Sequence, residues 1–199
     1  MQNIRKRRLQ IMLLDLFDLV SFLVFVMWVV LFIRFFIFNP FTVVGKSMET
    51  KFHQWDFIIV DKITPRLWTL ERWDIVVFVP KNRDVPFIKR IVWLPGETVK
   101  IVNNNVMICT GTWTDQECNK LEEYYLWKDV VTSTSQCNVD TFEVQDDGYF
   151  VMWDNRSAST DSRCCFGLWC FENSNDLVYP EDIIWKVAIK LFPTLEGHW

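Results

Sequence analysis

The chain has 199 residues, half of them hydrophobic and 16% aromatic, with 23% charged and a net charge of −4. That composition excludes a disordered chain or a collagen, and the negative charge lacks the basic footprint of a nucleic-acid binder. One ratio is out of line: Trp 11 against Gly 6, where a chain of this length ordinarily holds about 14 glycines.

Arg5, Lys6, Arg7 and Arg8 lie near the start of the chain, and Ile11 to Phe38 is then almost entirely apolar, with Asp15, Asp18 and Arg34 as its only charges. Wound as a helix, Leu19–Phe38 spans about 30 Å, the thickness of a bilayer core. A cleaved signal peptide has a shorter apolar run and a small-residue cleavage site, and few soluble helices are apolar on every face. The reading is a cytoplasmic basic stretch over 1–10 and a transmembrane helix over 11–38, oriented with its positive end inside. Pro40 disfavours helix at residue 39, so 39–199 form an extracytoplasmic domain tethered near the membrane surface.

Beyond the span the chain reads as short strands bounded by turn residues: Phe57–Val60, Ile75–Val79, Phe87–Val92, Val99–Val102, Val106–Ile108, Tyr149–Met152 and Ile183–Ile189. These predict a mainly β protein, an all-β, partly open, barrel-like domain behind an N-terminal helix. Residues 103–145 carry no motif; most of that stretch is polar and reads as a loop-rich insertion, with a short helix around Leu121–Trp127. Cys109, Cys118, Cys137, Cys164, Cys165 and Cys170 suit an oxidising compartment. Their pairing stays open among 15 connectivities, and their spacing, with only His53 and His198 beside them, gives no zinc site. No metal and no cofactor is expected.

Four segments stand out in order: Gly45-Lys46-Ser47-Met48-Glu49; Asp56 to Lys62; Arg72-Trp73-Asp74 leading through Phe87-Ile88-Lys89-Arg90 to Pro95-Gly96-Glu97; and Asp154 to Arg163. Singly, each reads as a loop, a solvated face or a turn. Lys89 differs, because it lies in a strongly apolar strand, where burial lowers a lysine pKa. A neutral lysine is a general base, and a serine beside it becomes a nucleophile without histidine.

Taken together, these segments resemble the type I signal peptidase family, the membrane-bound Ser-Lys proteases. Ile33-Arg34-Phe35-Phe36 with Asn39-Pro40-Phe41, and the closing stretch Val178 to Pro193, resemble its span junction and its last strand. The resemblance implies Ser47 as nucleophile, Lys89 as general base and Ser159 as the hydroxyl that orients the lysine. Asp161, Arg163 and Arg90 would form a supporting charged network. Val43, Val44, Met48, Phe52, Phe87 and Ile88 would line shallow pockets for small substrate side chains. The Ser47 N–H would be one oxyanion donor, and the position two residues earlier, a serine in much of the family, is Gly45 here. The implied partners are signal peptides of exported preproteins and the lipid bilayer, and the implied place is the plasma membrane. Two alternatives are a processing peptidase of the same clan with narrower specificity and a non-catalytic, membrane-anchored β binding module.

Trp55, Trp73, Trp93, Trp153 and Trp185 stand where the family's motifs read glycine. A membrane-interface aromatic belt accounts for tryptophan on apolar surface, but not at turns that use glycine for its missing Cβ. The pattern suggests a gene whose UGA codon means glycine, written here as tryptophan.

Overall fold

In the computed structural model, the described residues are 2–45, 48, 51–81, 84–110, 117–127, 130–133, 140–144, 147–156, 161–167 and 177–192. Ser47, Ser159, Cys137 and Cys170 lie outside them. The chain divides at Asn39–Pro40 into two units.

The first unit is a helix, α1 (Gln2–Phe32), continued by one π-helical stretch over Ile33–Ile37. Its apolar side chains are exposed on every face. Over Asn3–Ile37 it is long and apolar enough to cross a membrane.

The second unit is built from two open sheets. One has six strands in the order β1-β2-β10-β3-β4-β9: β1 (Phe38–Thr42), β2 (Phe57–Asp61), β3 (Ile75–Phe78), β4 (Phe87–Trp93), β9 (Phe150–Met152) and β10 (Ile183–Phe192). The other has four, β7-β6-β5-β8: β5 (Thr98–Val102), β6 (Asn105–Thr110), β7 (Glu117–Lys120) and β8 (Thr141–Glu143). The expected mainly β, partly open architecture is what the chain adopts.

Strand β3, inside the larger sheet, is apolar throughout and buried along its whole length because both of its faces are covered. Side chains alternate between faces along a strand. On β3, Val76 and Phe78 enter one core cluster with Ile91 and Val151, whereas Ile75 and Val77 enter another with Val43, Met48, Phe52, Ile58 and Val60. Beyond them, Val92, Phe150 and Met152 pack against Val99, Ile101, Val106 and Phe142 of the smaller sheet. Lys89 sits opposite Val76 on β3 and therefore shares the face of Val76 and Ile91, while Arg90, opposite Met152, takes the other.

Two expectations are corrected. Residues 121–127 form no helix; the chain makes one turn, with the Leu126 N–H donating to the Glu123 carbonyl at 3.0 Å. The stretch 103–145, read as a loop-rich insertion, supplies β7, β8 and all of β6, of which only Val106–Ile108 was expected as strand, so much of it is sheet. In it Cys109 pairs with Cys118 directly across the β6–β7 ladder, as a disulfide.

The reason 121–127 leaves helical geometry is a buried cation. Arg156 is 1% exposed and ion-pairs with Glu123. It also donates to the Tyr125 hydroxyl at 2.7 Å, the Thr132 hydroxyl at 3.1 Å and the Trp153 carbonyl at 2.9 Å. Burial, with the Glu123 charge adding to it, keeps the Tyr125 phenol protonated well above its ordinary range. Glu123→Ala leaves a buried guanidinium without its carboxylate. We expect this to destabilise the domain by about 3 kcal/mol, read as a lower midpoint of urea unfolding for the full chain in detergent.

Candidate active site

The site begins with a bend in the chain. After β1, the Val43 N–H donates to the Asp56 carbonyl at 2.9 Å and the Trp55 N–H returns to the Val43 carbonyl at 2.8 Å. These two bonds join Val43 to Trp55 and Asp56, which flank position 47 in sequence. Asp56 is fully buried and ion-pairs with Lys190 of β10, whose ammonium also donates to the Lys51 carbonyl at 3.0 Å. Met48 and Phe52 are inserted into the core below, so apolar burial and a buried ion pair pin the loop at both ends.

Val43, Val44, Gly45, Ile58, Val77, Val85, Phe87, Ile88, Lys89 and Trp153 line an apolar cavity of about 550 Å³. Of the six expected pocket residues, Val43, Val44, Phe87 and Ile88 line it, while Met48 and Phe52 are core residues beneath it. An apolar cavity with a few polar groups at its wall is the usual form of a ligand site. Among the described lining residues the one charged group is the Lys89 ammonium, with Thr42 also at the wall.

Lys89 is 1% exposed. Its Nζ donates to the Ile88 carbonyl at 3.2 Å and stands 4.5 Å from the Phe87 ring centre and 4.1 Å from that of Trp153. Burial lowers its pKa from 10.5 to about 7, against a partial upward pull from the charge of Asp161. It has no ion-pair partner among the described residues.

Asp161 and Arg163 form a fully buried pair, with Arg163 Nε and Nη2 each 2.9 Å from the carboxylate. Asp161 also accepts the Trp153 N–H at 3.3 Å, and Ser162 Oγ accepts the Val151 N–H at 3.0 Å. Arg163 reaches on to the Arg156 carbonyl at 3.2 Å and the Ser133 carbonyl at 2.9 Å. Arg90 pairs bidentately with Asp154 at 2.8 and 2.6 Å, donates to the Trp73 carbonyl at 2.9 Å and lies 4.1 Å above the Tyr125 ring. Arg90 thus holds Asp154 against β4, and Arg163 ties Asp161 to Arg156 and Ser133, which suits support rather than chemistry.

Three contributors escaped the sequence reading. Asp154, the partner of Arg90, was inside a recognised segment, but nothing along the chain assigns it a partner 64 residues away. The Asp56–Lys190 pair joins residues too far apart to signal each other. The third is Trp153, treated as a turn residue and found against the Lys89 ammonium.

A family profile described as "Signal peptidase, peptidase S26" matches residues 16–185. Signal peptidase I P of Bacillus subtilis subsp. natto is 30% identical over 172 residues, covering 85% of this chain and 89% of that protein. A signal peptidase I of Bacillus amyloliquefaciens is 36% identical over 141 residues, covering 68% and 71%. A crystal structure of a signal peptidase I from Enterococcus faecalis V583 is 23% identical at a TM-score of 0.41, covering 61% of this chain and 97% of that one.

The lowered Lys89 pKa has a consequence for folding. The unfolded chain holds this proton more tightly than the folded one, so stability rises as pH climbs from about 7 to 10.5. Below that window the charge penalty is fully present, and above it the penalty is gone. Lys89→Met should therefore raise stability at neutral pH by about 2 kcal/mol, with the gain fading toward pH 10.5. Denaturant titrations at several pH values read this directly.

Proposed function

Since the chain belongs to the signal peptidase family, peptidase S26, we propose that it is a membrane-anchored serine endopeptidase that removes signal peptides from exported preproteins. The observation that carries this reading is a buried, apolar-walled lysine titrating near 7, beside the cavity formed by Val43, Val44 and Gly45. In sequence, Ser47 follows that lining segment by two residues.

The chemistry runs on a Ser-Lys pair. Neutral Lys89 takes the proton of the Ser47 hydroxyl as its oxygen attacks the scissile carbonyl. The Ser47 N–H stabilises the oxyanion; Gly45 brings no side-chain donor to it. The ammonium then gives its proton to the departing amine, leaving an acyl-enzyme. A water, deprotonated by the same lysine, hydrolyses the ester and frees Ser47. Ser159 orients the lysine, and Asp161, Arg163 and Arg90 hold the frame.

The anchor follows from where the substrate's cut lies. Arg5, Lys6, Arg7 and Arg8 keep the N-terminus in the cytoplasm, α1 crosses once, and the β domain works on the far side. Ser47 comes only about 10 residues after the helix ends at Ile37, a short reach at about 3.4 Å per extended residue. That height is where the cleavage site of a membrane-held signal peptide emerges. An extended peptide in the cavity would place small side chains beside Val43 and Ile88, where larger ones meet the apolar walls.

Cleavage of a purified preprotein tests the reading. The unaltered chain should cut it, and Ser47→Ala and Lys89→Ala should each lower the rate by at least about a thousandfold. The rate should rise with pH through about 7 and level off. Full activity of Ser47→Ala, or an optimum on the acid side, would sink the assignment.

A further inference from the structure

Three turns in this domain share one geometry. In His53-Gln54-Trp55-Asp56, the Asp56 N–H donates to the His53 carbonyl at 3.1 Å, and the Asp56 carboxylate accepts the His53 N–H at 2.7 Å. In Glu71-Arg72-Trp73-Asp74 the same two bonds measure 3.1 and 3.0 Å. In Leu94-Pro95-Gly96-Glu97 they measure 3.3 and 2.9 Å. The third residue has φ +74° at Trp55, +78° at Trp73 and +81° at Gly96, while the second residue stays out of the left-handed region.

This is the type II pattern, in which the third residue needs φ near +80° and is ordinarily glycine. One of the three turns uses glycine, and the other two force a tryptophan into a conformation that is an outlier for any bulky side chain. Among the described residues, the other non-glycine residues at positive φ lack this turn: Asn103 and Asn104, of a type that tolerates such φ, and Cys165 and Phe166 in the kinked stretch after Asp161.

Two further tryptophans are misplaced by a different measure. The indole N–H groups of Trp93 and Trp153 are buried with no hydrogen-bond partner among the described residues, which an indole in a native core seldom tolerates. Trp185 shows neither defect: it packs on Phe41 at 5.0 Å in an ordinary strand position. Glycine is scarce in the chain at 6 residues, and tryptophan abundant at 11.

We infer that the working protein carries glycine at positions 55, 73, 93 and 153, one codon being read there as glycine that is written here as tryptophan, and that the indole at 153 obstructs the site. The Trp153 ring centre stands 4.1 Å from Lys89 Nζ, and both residues line the same cavity. A residue without a side chain leaves that approach open to a main chain carrying the scissile bond. At 55 and 73 glycine releases backbone strain at the two turns that hold the nucleophile loop and the start of β3.

Peptide masses from the protein purified from its source organism decide the identities. Glycine masses at 55 and 73 are expected, and tryptophan masses there overturn the inference. The recombinant full chain gives a second test. Trp55→Gly and Trp73→Gly should unfold at higher denaturant than the parent and than Trp55→Ala and Trp73→Ala, because only glycine relieves a positive φ. Alanine variants as stable as the glycine ones would contradict it. The obstruction at 153 rests on the peptidase reading: Trp153→Gly should raise preprotein cleavage roughly tenfold, and an unchanged rate removes that part. If no variant cleaves, the peptidase reading fails, and the masses and midpoints still decide the glycines.

Discussion

A buried cation without its own carboxylate is the constraint on which the site depends. Among the described residues of the β domain, four cationic side chains are almost wholly buried: Lys89, Arg90, Arg156 and Arg163. The three arginines each hold a carboxylate, from Asp154, Glu123 and Asp161 respectively. Lys89 alone faces rings and a carbonyl instead, of which the Phe87 ring and the Ile88 carbonyl remain when position 153 is glycine. The price of its charge is met by losing it, and a lysine that loses its proton near neutrality can accept one from a serine.

The fold supplies that environment by covering the six-stranded sheet on both faces. A strand with one wet face would let water reach the ammonium and restore its ordinary pKa. Here β4 lies between β3 and β9, with apolar clusters on either side, so consecutive residues of one strand do different work. Lys89 lines the cavity, and Arg90, on the opposite face, locks the start of the segment after β9 through Asp154. That segment carries Asp161, whose charge keeps the lysine from falling further. The same segment reaches across to Glu123 through Arg156, which ties the smaller sheet's connection to the catalytic one. Removing a remote carboxylate is thus expected to be felt at the lysine.

Much of this was legible in the sequence, for a physical reason. The central strands are double-covered and announce themselves as apolar runs, unbroken in Ile75–Phe78 and interrupted in Phe87–Trp93 only by Lys89 and Arg90. The strands that went unseen, β1, β7 and β8, are all sheet edges. An edge strand is half in water, so Glu117–Lys120 can be mostly polar and Phe38–Thr42 can contain Pro40. The candidate base was legible because a lysine in an apolar run is a local anomaly. Its neighbours were not, since Asp56 with Lys190 and Glu123 with Arg156 are pairings that only the fold creates. The tryptophans at 55 and 73 were visible as an oddity of composition and motif, and the backbone angle gives that oddity a mechanical meaning.

Titration of the Lys89 ε-amine itself is the most direct measurement, by NMR on isotope-labelled lysine in the full chain with Ser47→Ala to prevent turnover. A buried base requires a midpoint near 7, with the signal lost in Lys89→Met. A midpoint near the ordinary 10.5 would mean that the amine is hydrated and charged at working pH, and would contradict its role as the base.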